Sequence, residues 1–259
     1  MSKRWVMRAY AVKRLLLWRY LHRFHDTYYV AAFPKSGGTW VGQMLSDCIE
    51  LPFPRNNTVP KWESSVLHGH YLPSKSYKNV LVVLRDGRDC MVSLYYQFMF
   101  DNEWNVPTAL QKIRSDLNFA DVNRVADNLP EFIEYMHSNY LKDGYMRITW
   151  SQFVDAWMDE GYPVVRYERL LDASAEELKG ALPGLGLNLP DSRVSEAVAR
   201  YDFKAVSGRN RGSEEKTSFV RKGVSGDWVN LFNSNAKDIF KRHAGRQLIR
   251  AGYESDYDW

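Results

Sequence analysis

Apolar positions along this chain fall in short blocks separated by polar, turn-rich sequence. Tyr28-Tyr29-Val30-Ala31-Ala32-Phe33 and Asn79-Val80-Leu81-Val82-Val83-Leu84 are nearly continuous apolar runs of strand length, the pattern of strands buried on both faces of a parallel sheet. Pro163-Val164-Val165-Arg166-Tyr167 reads as a third strand of the same kind. Helical periodicity occupies about 39–50, 90–100, 130–142, 150–160, 174–181, 191–201 and 235–251. Pro52, Pro54, Asn56, Asn57 and Pro60 mark a loop, and two long polar stretches, 101–128 and 204–227, read as irregular. Strands alternating with helices predict an α/β fold with a mostly parallel sheet flanked by helices, in one domain. A length of 259 residues suits a domain of that kind.

The first 25 residues break the pattern. Lys3, Arg4, Arg8, Lys13, Arg14, Arg19 and Arg23 occur there without a single acid, interleaved with Trp5, Tyr10, Leu15, Leu16, Leu17, Trp18, Tyr20 and Phe24. The longest apolar run, Leu15 to Trp18, is far too short for a membrane span or a signal-peptide core. Two readings stay open: an amphipathic helix on an anionic membrane surface, or a helix that packs its apolar side on the domain. A nucleic-acid binder rests on this segment alone, because the net charge of the whole chain is a modest +4. Cys48 and Cys90 form no disulfide framework and no metal spacing, which predicts buried thiols in a reducing, cytoplasmic compartment. The sequon at Asn56-Asn57-Thr58 lacks a secretory context.

Candidate chemistry begins where the first strand ends. Pro34-Lys35-Ser36-Gly37-Gly38-Thr39-Trp40 joins that strand to a helix, and a strand, a glycine loop and a helix N-terminus together cradle a phosphate on backbone N–H groups. Lys35 adds a point charge, and Ser36 and Thr39 add hydroxyl donors. A Walker A loop places its lysine after the glycines; here Lys35 precedes them, which disfavours a nucleoside-triphosphate kinase. At the end of the second strand comes Arg85-Asp86-Gly87-Arg88-Asp89-Cys90-Met91-Val92-Ser93, with Arg85 where open α/β sheets bind ligands. Near the C-terminus, Thr217-Ser218-Phe219-Val220-Arg221-Lys222-Gly223-Val224-Ser225-Gly226-Asp227-Trp228 brings two adjacent cations and glycines into one loop. Such a loop can close on phosphate. Read singly, Arg85 is as well explained by a salt bridge, and Arg221-Lys222 by a solvated loop.

Taken together, the three stretches resemble the motifs of the cytosolic-type sulfotransferases, in order and roughly in spacing. The first resembles their phosphosulfate loop PKSGTTW, with Gly38 where the family commonly has threonine. The last matches RKGxxGDW without a change. The resemblance implies a sulfotransferase domain over 26–259, with residues 1–25 as a basic appendage, and 3′-phosphoadenosine 5′-phosphosulfate (PAPS) as donor, leaving adenosine 3′,5′-bisphosphate (PAP) as product. It further implies that Lys35, Ser36, Gly37, Gly38, Thr39 and Trp40 hold the 5′ side. Arg85, Ser93, Arg221, Lys222 and Gly223 would hold the 3′-phosphate, and Trp40, Tyr167, Thr217 and Phe219 the adenine. Lys35 would stabilise the leaving oxygen, with Ser93 restraining it until acceptor binds.

The family places its general base in a KxHxP-like segment. Leu67-His68-Gly69-His70-Tyr71-Leu72-Pro73 points to His70, with His68 where many members carry lysine. No metal is implied. Tyr95, Tyr96, Phe98, Phe100, Trp104, Phe53 and Trp62 flank the expected site and favour an apolar or aromatic acceptor hydroxyl: a phenol, sterol or lipid. A carbohydrate or glycolipid acceptor is the alternative within the enzyme class, and a catalytically silent nucleotide-binding protein the alternative outside it. The family's dimer segment is not kept, since Val229, Asn233, Ser234 and Asp238 stand at its positions, so the oligomeric state stays open.

Overall fold

The computed structural model describes residues 3–17, 20, 24–54, 63–74, 77–101, 107–138 and 148–259, with the side chains of 3–8, 14 and 107–109 outside that description. Trp62, Trp104 and the Asn56–Thr58 sequon lie outside the described residues. In chain order the elements are α1 (Lys3–Leu16), β1 (Thr27–Ala32), α2 (Gly38–Ile49), β2 (Ser65–Gly69), β3 (Val80–Leu84), α3 (Gly87–Met99), α4 (Pro107–Leu117), α5 (Val125–Ser138) and α6 (Trp150–Trp157). They continue with β4 (Val164–Arg166), α7 (Tyr167–Asp172), α8 (Ser174–Ala181), α9 (Asp191–Arg200), α10 (Phe203–Ser207) and α11 (Ser234–Arg250). Short 3₁₀ turns cover Leu182–Leu185 and Asp227–Asn230. The fold is α/β, and two compact units can be separated within it: residues 1–84 with 160–206, and residues 85–159 with 207–259.

The first unit holds the sheet. Its four strands are all parallel, in the order β2-β1-β3-β4. Side chains alternate across a strand, so Val30 and Ala32 of β1, Val66 of β2, Leu81 and Val83 of β3 and Val165 of β4 share one face. They pack there with Val41, Met44, Leu45 and Cys48 of α2, Leu178 of α8 and Val194 of α9. Both apolar runs read from the sequence are strands. β2, whose five residues include a polar serine and histidine, was not visible as one. The order 2-1-3-4 makes the β1–β3 pair the topological switch point, where parallel α/β sheets bind ligands outside the carboxyl ends of the strands. Ala32 and Val83 are register partners there. Each strand end leads into a predicted motif, β1 into the Lys35 loop and β3 into Arg85.

The described elements that lie wholly in the second unit are helical. α3 starts at Gly87, earlier than its apolar periodicity suggests, because the Asp86 carboxylate accepts the Arg88 N–H at 2.8 Å as an N-cap. α4 occupies part of the stretch read as irregular; Pro107 opens it, the position a proline tolerates best in a helix. A reciprocal capping box starts α6: Thr149 Oγ1 accepts from Gln152 N at 3.2 Å and Gln152 Oε1 from Thr149 N at 3.0 Å. Phe132, Phe153, Trp150, Trp157 and Phe240 are fully buried core of this unit. So are Tyr95 and Phe98. Tyr95 packs edge-on to Phe132 at 5.2 Å and donates its hydroxyl to Val122 O at 2.8 Å, which makes it packing rather than acceptor lining.

Candidate active site

In the first unit the loop after β1 is built from unusual backbone. Lys35 has φ +69° and Gly37 φ +90°, both in the left-handed region that costs an L-residue energy and that glycine enters freely. Ser36 N–H donates to Phe33 O at 3.1 Å, and Gly37 caps α2, its carbonyl accepting Val41 N–H at 3.0 Å. The turn leaves the first amides of α2 directed out of the helix N-terminus, where anions bind. Gly37 lies under the Tyr167 ring: an ideal Cβ there would fall 2.8 Å from Tyr167 Cδ2. Tyr167 begins α7 and meets Trp40 edge-on, ring centres 5.9 Å apart at 72°. Trp40 Nε1 donates to Tyr201 O at 2.8 Å. Lys35, Ser36, Gly37, Gly38, Thr39 and Trp40 are thereby brought together with Tyr167, Ser36 buried among them.

The two histidines come to that loop from β2, His68 within the strand and His70 just past its end. His70 Nδ1 lies 2.6 Å from Ala32 O. A carbonyl oxygen only accepts, so Nδ1 carries the proton and Nε2 presents its lone pair. Burial lowers the His70 pKa below its ordinary value, against a smaller opposite effect of the Ala32 hydrogen bond, so the ring is neutral at physiological pH. His68 is buried and edge-on to His70, ring centres 4.8 Å apart at 89°. An ideal Cβ on Gly38 would lie 2.4 Å from His68 Nε2.

In the second unit Arg85 and the 219–228 loop come together. Arg85 Nη2 donates to Val224 O at 3.3 Å and lies 3.9 Å from Asp89 Oδ2. Asp89 in turn accepts Gly226 N–H at 2.7 Å and Trp228 N–H at 3.1 Å, pinning the Gly-Asp-Trp turn to α3. Arg221 Nη2 and Lys222 Nζ each donate to Asp227, both at 2.6 Å, and Arg221 also pairs with Glu214. Burial alone would raise the Asp227 carboxyl, but the bonds from Lys222 and Arg221 hold it below the ordinary carboxylate value. The Arg221 guanidinium lies over the Tyr96 ring, 4.3 Å from its centre, and burial pushes the Tyr96 hydroxyl up to about 12. Ser93 is buried on α3. Thr217 is exposed in the loop and donates to Glu215 at 2.7 Å, and Phe219 is partly exposed.

Several residues that shape these surfaces were invisible as motif positions. Arg88 is the clearest. It is buried against the rings of Trp228 (3.7 Å) and Trp259 (4.4 Å), and it pairs with Asp86 and Glu254. Asp89 and Glu214 belong with it, and the cap that Asp86 makes on α3 was not read from the sequence either. A groove of about 950 Å³ lies among α4, α5 and α11 and is lined by Lys112, Asp116, Glu134, Tyr135 and Arg242 among others; it contains none of the motif residues. Chemistry, not volume, locates the candidate site.

Comparison with known proteins agrees with this geometry. Sulfotransferase 1A1 of Bos taurus is 22% identical over 281 residues, covering 90% of this chain and 86% of that protein. Sulfotransferase 6B1 of Mus musculus is 24% identical over 235 residues, covering 80% and 71%. Among solved structures, mouse sulfotransferase SULT7A1 complexed with PAP superimposes with a TM-score of 0.59 at 17% identity, over 85% of this chain and 84% of that one. Retinol dehydratase in complex with androsterone and inactive cofactor PAP gives 0.57 at 14% identity, over 86% and 80%. The family model described as the sulfotransferase domain matches residues 55–252. From the histidine segment through the Gly-Asp-Trp turn, then, this chain belongs to the sulfotransferase family.

Proposed function

We propose that the chain transfers a sulfuryl group from PAPS to an acceptor hydroxyl, with His70 as general base. The observation that carries this reading is the Nδ1 contact of His70 with Ala32 O at 2.6 Å, which frees Nε2 to take the acceptor proton. PAPS supplies an activated sulfur–oxygen bond. The hydroxyl oxygen bonds to sulfur, its proton passes to His70 Nε2, and the bridging oxygen departs with the 5′-phosphate of PAP. Lys35 neutralises the charge on that oxygen, helped by the first amides of α2. The residues present fit the donor: a helix N-terminus with left-handed loop backbone for one anion, and Arg85, Arg221 and Lys222 drawn together by Asp89, Val224 and Asp227 for another. In the second unit Arg85, Ser93, Arg221, Lys222 and Gly223 take the 3′-phosphate. In the first unit Trp40 and Tyr167, edge-on to each other at 5.9 Å, take the adenine.

His70→Ala tests the assignment. Turnover should fall about 10²–10⁴-fold while PAP binding measured by calorimetry stays near wild type. Retained turnover would move the base elsewhere; PAP binding by a wild type with no turnover on any acceptor would favour the silent nucleotide-binding protein.

The acceptor we propose is lipid-like and met at an anionic membrane surface. Val12, Leu16, Tyr20 and Phe24, four residues apart in sequence, are 56%, 40%, 54% and 67% exposed. They lie in the segment whose charges are all basic, and apolar and cationic groups together suit an anionic interface. Among the described residues no helix is long and apolar enough to cross a membrane. Sedimentation with phosphatidylserine vesicles at low salt, lost on deleting residues 1–25, is the expected result; equal sedimentation without the segment would refute the contact.

A further inference from the structure

We propose that His68 is the side-chain donor missing from the phosphate loop at position 38, and that its Nε2 binds the 5′-side anion of the donor nucleotide. The proposal rests on the donor site described above. Its evidence is a match between two positions far apart in sequence. Gly38 is the first residue of α2, and a Cβ on it would meet His68 Nε2 at 2.4 Å, His68 Cδ2 at 2.7 Å and Ala32 Cβ at 2.7 Å. The imidazole thus fills the volume that a side chain at 38 would occupy. The sequence lost a hydroxyl-bearing residue relative to the family loop and gained a ring nitrogen in its place.

Strand register fixes this placement. His68 pairs with Val30 in the parallel β1–β2 ladder, which sets it beside the carboxyl end of β1, where the loop begins. If the volume needed only filling, a leucine or methionine would fill it without burying a polar ring. An imidazole there instead puts a nitrogen next to the amides at the start of α2, groups that converge on an anion. An anion held by those amides makes Nε2 the protonated nitrogen of His68, a donor; His70, anchored through Nδ1, keeps Nε2 as an acceptor. Two neighbouring histidines, edge-on at 4.8 Å, thereby take opposite roles, one holding the donor and the other deprotonating the acceptor.

Calorimetry with two nucleotides tests the idea, PAP and adenosine 3′-monophosphate, which lacks the 5′-phosphate. His68→Ala should weaken PAP at least about tenfold, the effect of one hydrogen bond to a charged group, and leave the 3′-monophosphate unchanged. His68→Gln, whose amide nitrogen falls near the Nε2 position, should retain most of the PAP affinity. Equal losses for the two nucleotides, or a glutamine variant as weak as alanine, would reduce His68 to packing. A wild type that binds neither nucleotide would overturn the donor site itself, a result distinct from failure of the variants alone.

Discussion

Gly37→Ala separates two costs that the loop geometry places on any side chain at that position. With φ at +90°, an alanine must enter the left-handed region, at about 1–2 kcal/mol. Its Cβ would also lie 2.8 Å from Tyr167 Cδ2 and 3.2 Å from Cε2, and forcing the ring aside is overpacking, worth about 1–3 kcal/mol. The sum, about 2–5 kcal/mol, is a large share of a typical stability of about 5–15 kcal/mol. Urea unfolding of wild type, Gly37→Ala, Tyr167→Ala and the double variant forms a double-mutant cycle. With the ring gone, the alanine should retain only the backbone cost of about 1–2 kcal/mol. The same loss in both backgrounds would show that the ring is no obstacle. A loss near zero in both would show that the loop does not hold this φ, and the anion cradle would fall with it.

Burial lowers the His70 pKa, so the acid limb of kcat/KM should lie below the ordinary histidine value of about 6.5; a limb at or above that value would contradict the neutral base. Arg221→Ala should weaken PAP far more than AMP, since AMP lacks the 3′-phosphate, and equal losses would remove Arg221 from that contact. Away from the site, burial holds His137 down to about 4, opposed by its bond to Ile133 O, with the stacked His243 lowering it further and Glu134 raising it. The unfolded chain takes up that proton near 6.5. The neutral ring's contribution is therefore complete above that pH and is lost as pH falls towards 4, by about 2 kcal/mol at pH 5. His137→Asn, which keeps a donor to Ile133 O but does not titrate, should lose about that much less between pH 7.5 and 5 in urea melts; identical losses would contradict the buried neutral histidine.

What could be read in the sequence follows the range of the physical signal. β1, its loop and α2 were legible because an apolar run, two glycines and a helical period sit next to one another, and β3 because both its faces are buried. The C-terminal motif was legible as composition, but the bonds of Arg221 and Lys222 to Asp227 and the hold of Asp89 on the turn are tertiary facts with no local pattern. β2 was hidden because its short run is interrupted by His68, whose reason for being there is Gly38 on another element. Tyr167 reads as the end of a strand and instead begins α7, placing its ring over Gly37. α4 escaped because its surface is polar and its start, Pro107, resembles a loop signal as much as a helix cap. Tyr95 and Phe98 read as pocket lining by proximity to a motif, whereas α3 turns both into core.

The most direct test of the central claim is incubation of the wild-type protein with PAPS carrying labelled sulfur and a pooled panel of phenols, sterols, glycolipids and oligosaccharides. Products are then divided between organic and aqueous phases. The account predicts label in an organic-phase product, formed only with PAPS present and absent with His70→Ala. Label confined to small polar products would correct the acceptor to a sugar, and a protein that neither transfers label nor binds PAP would contradict the account at its root.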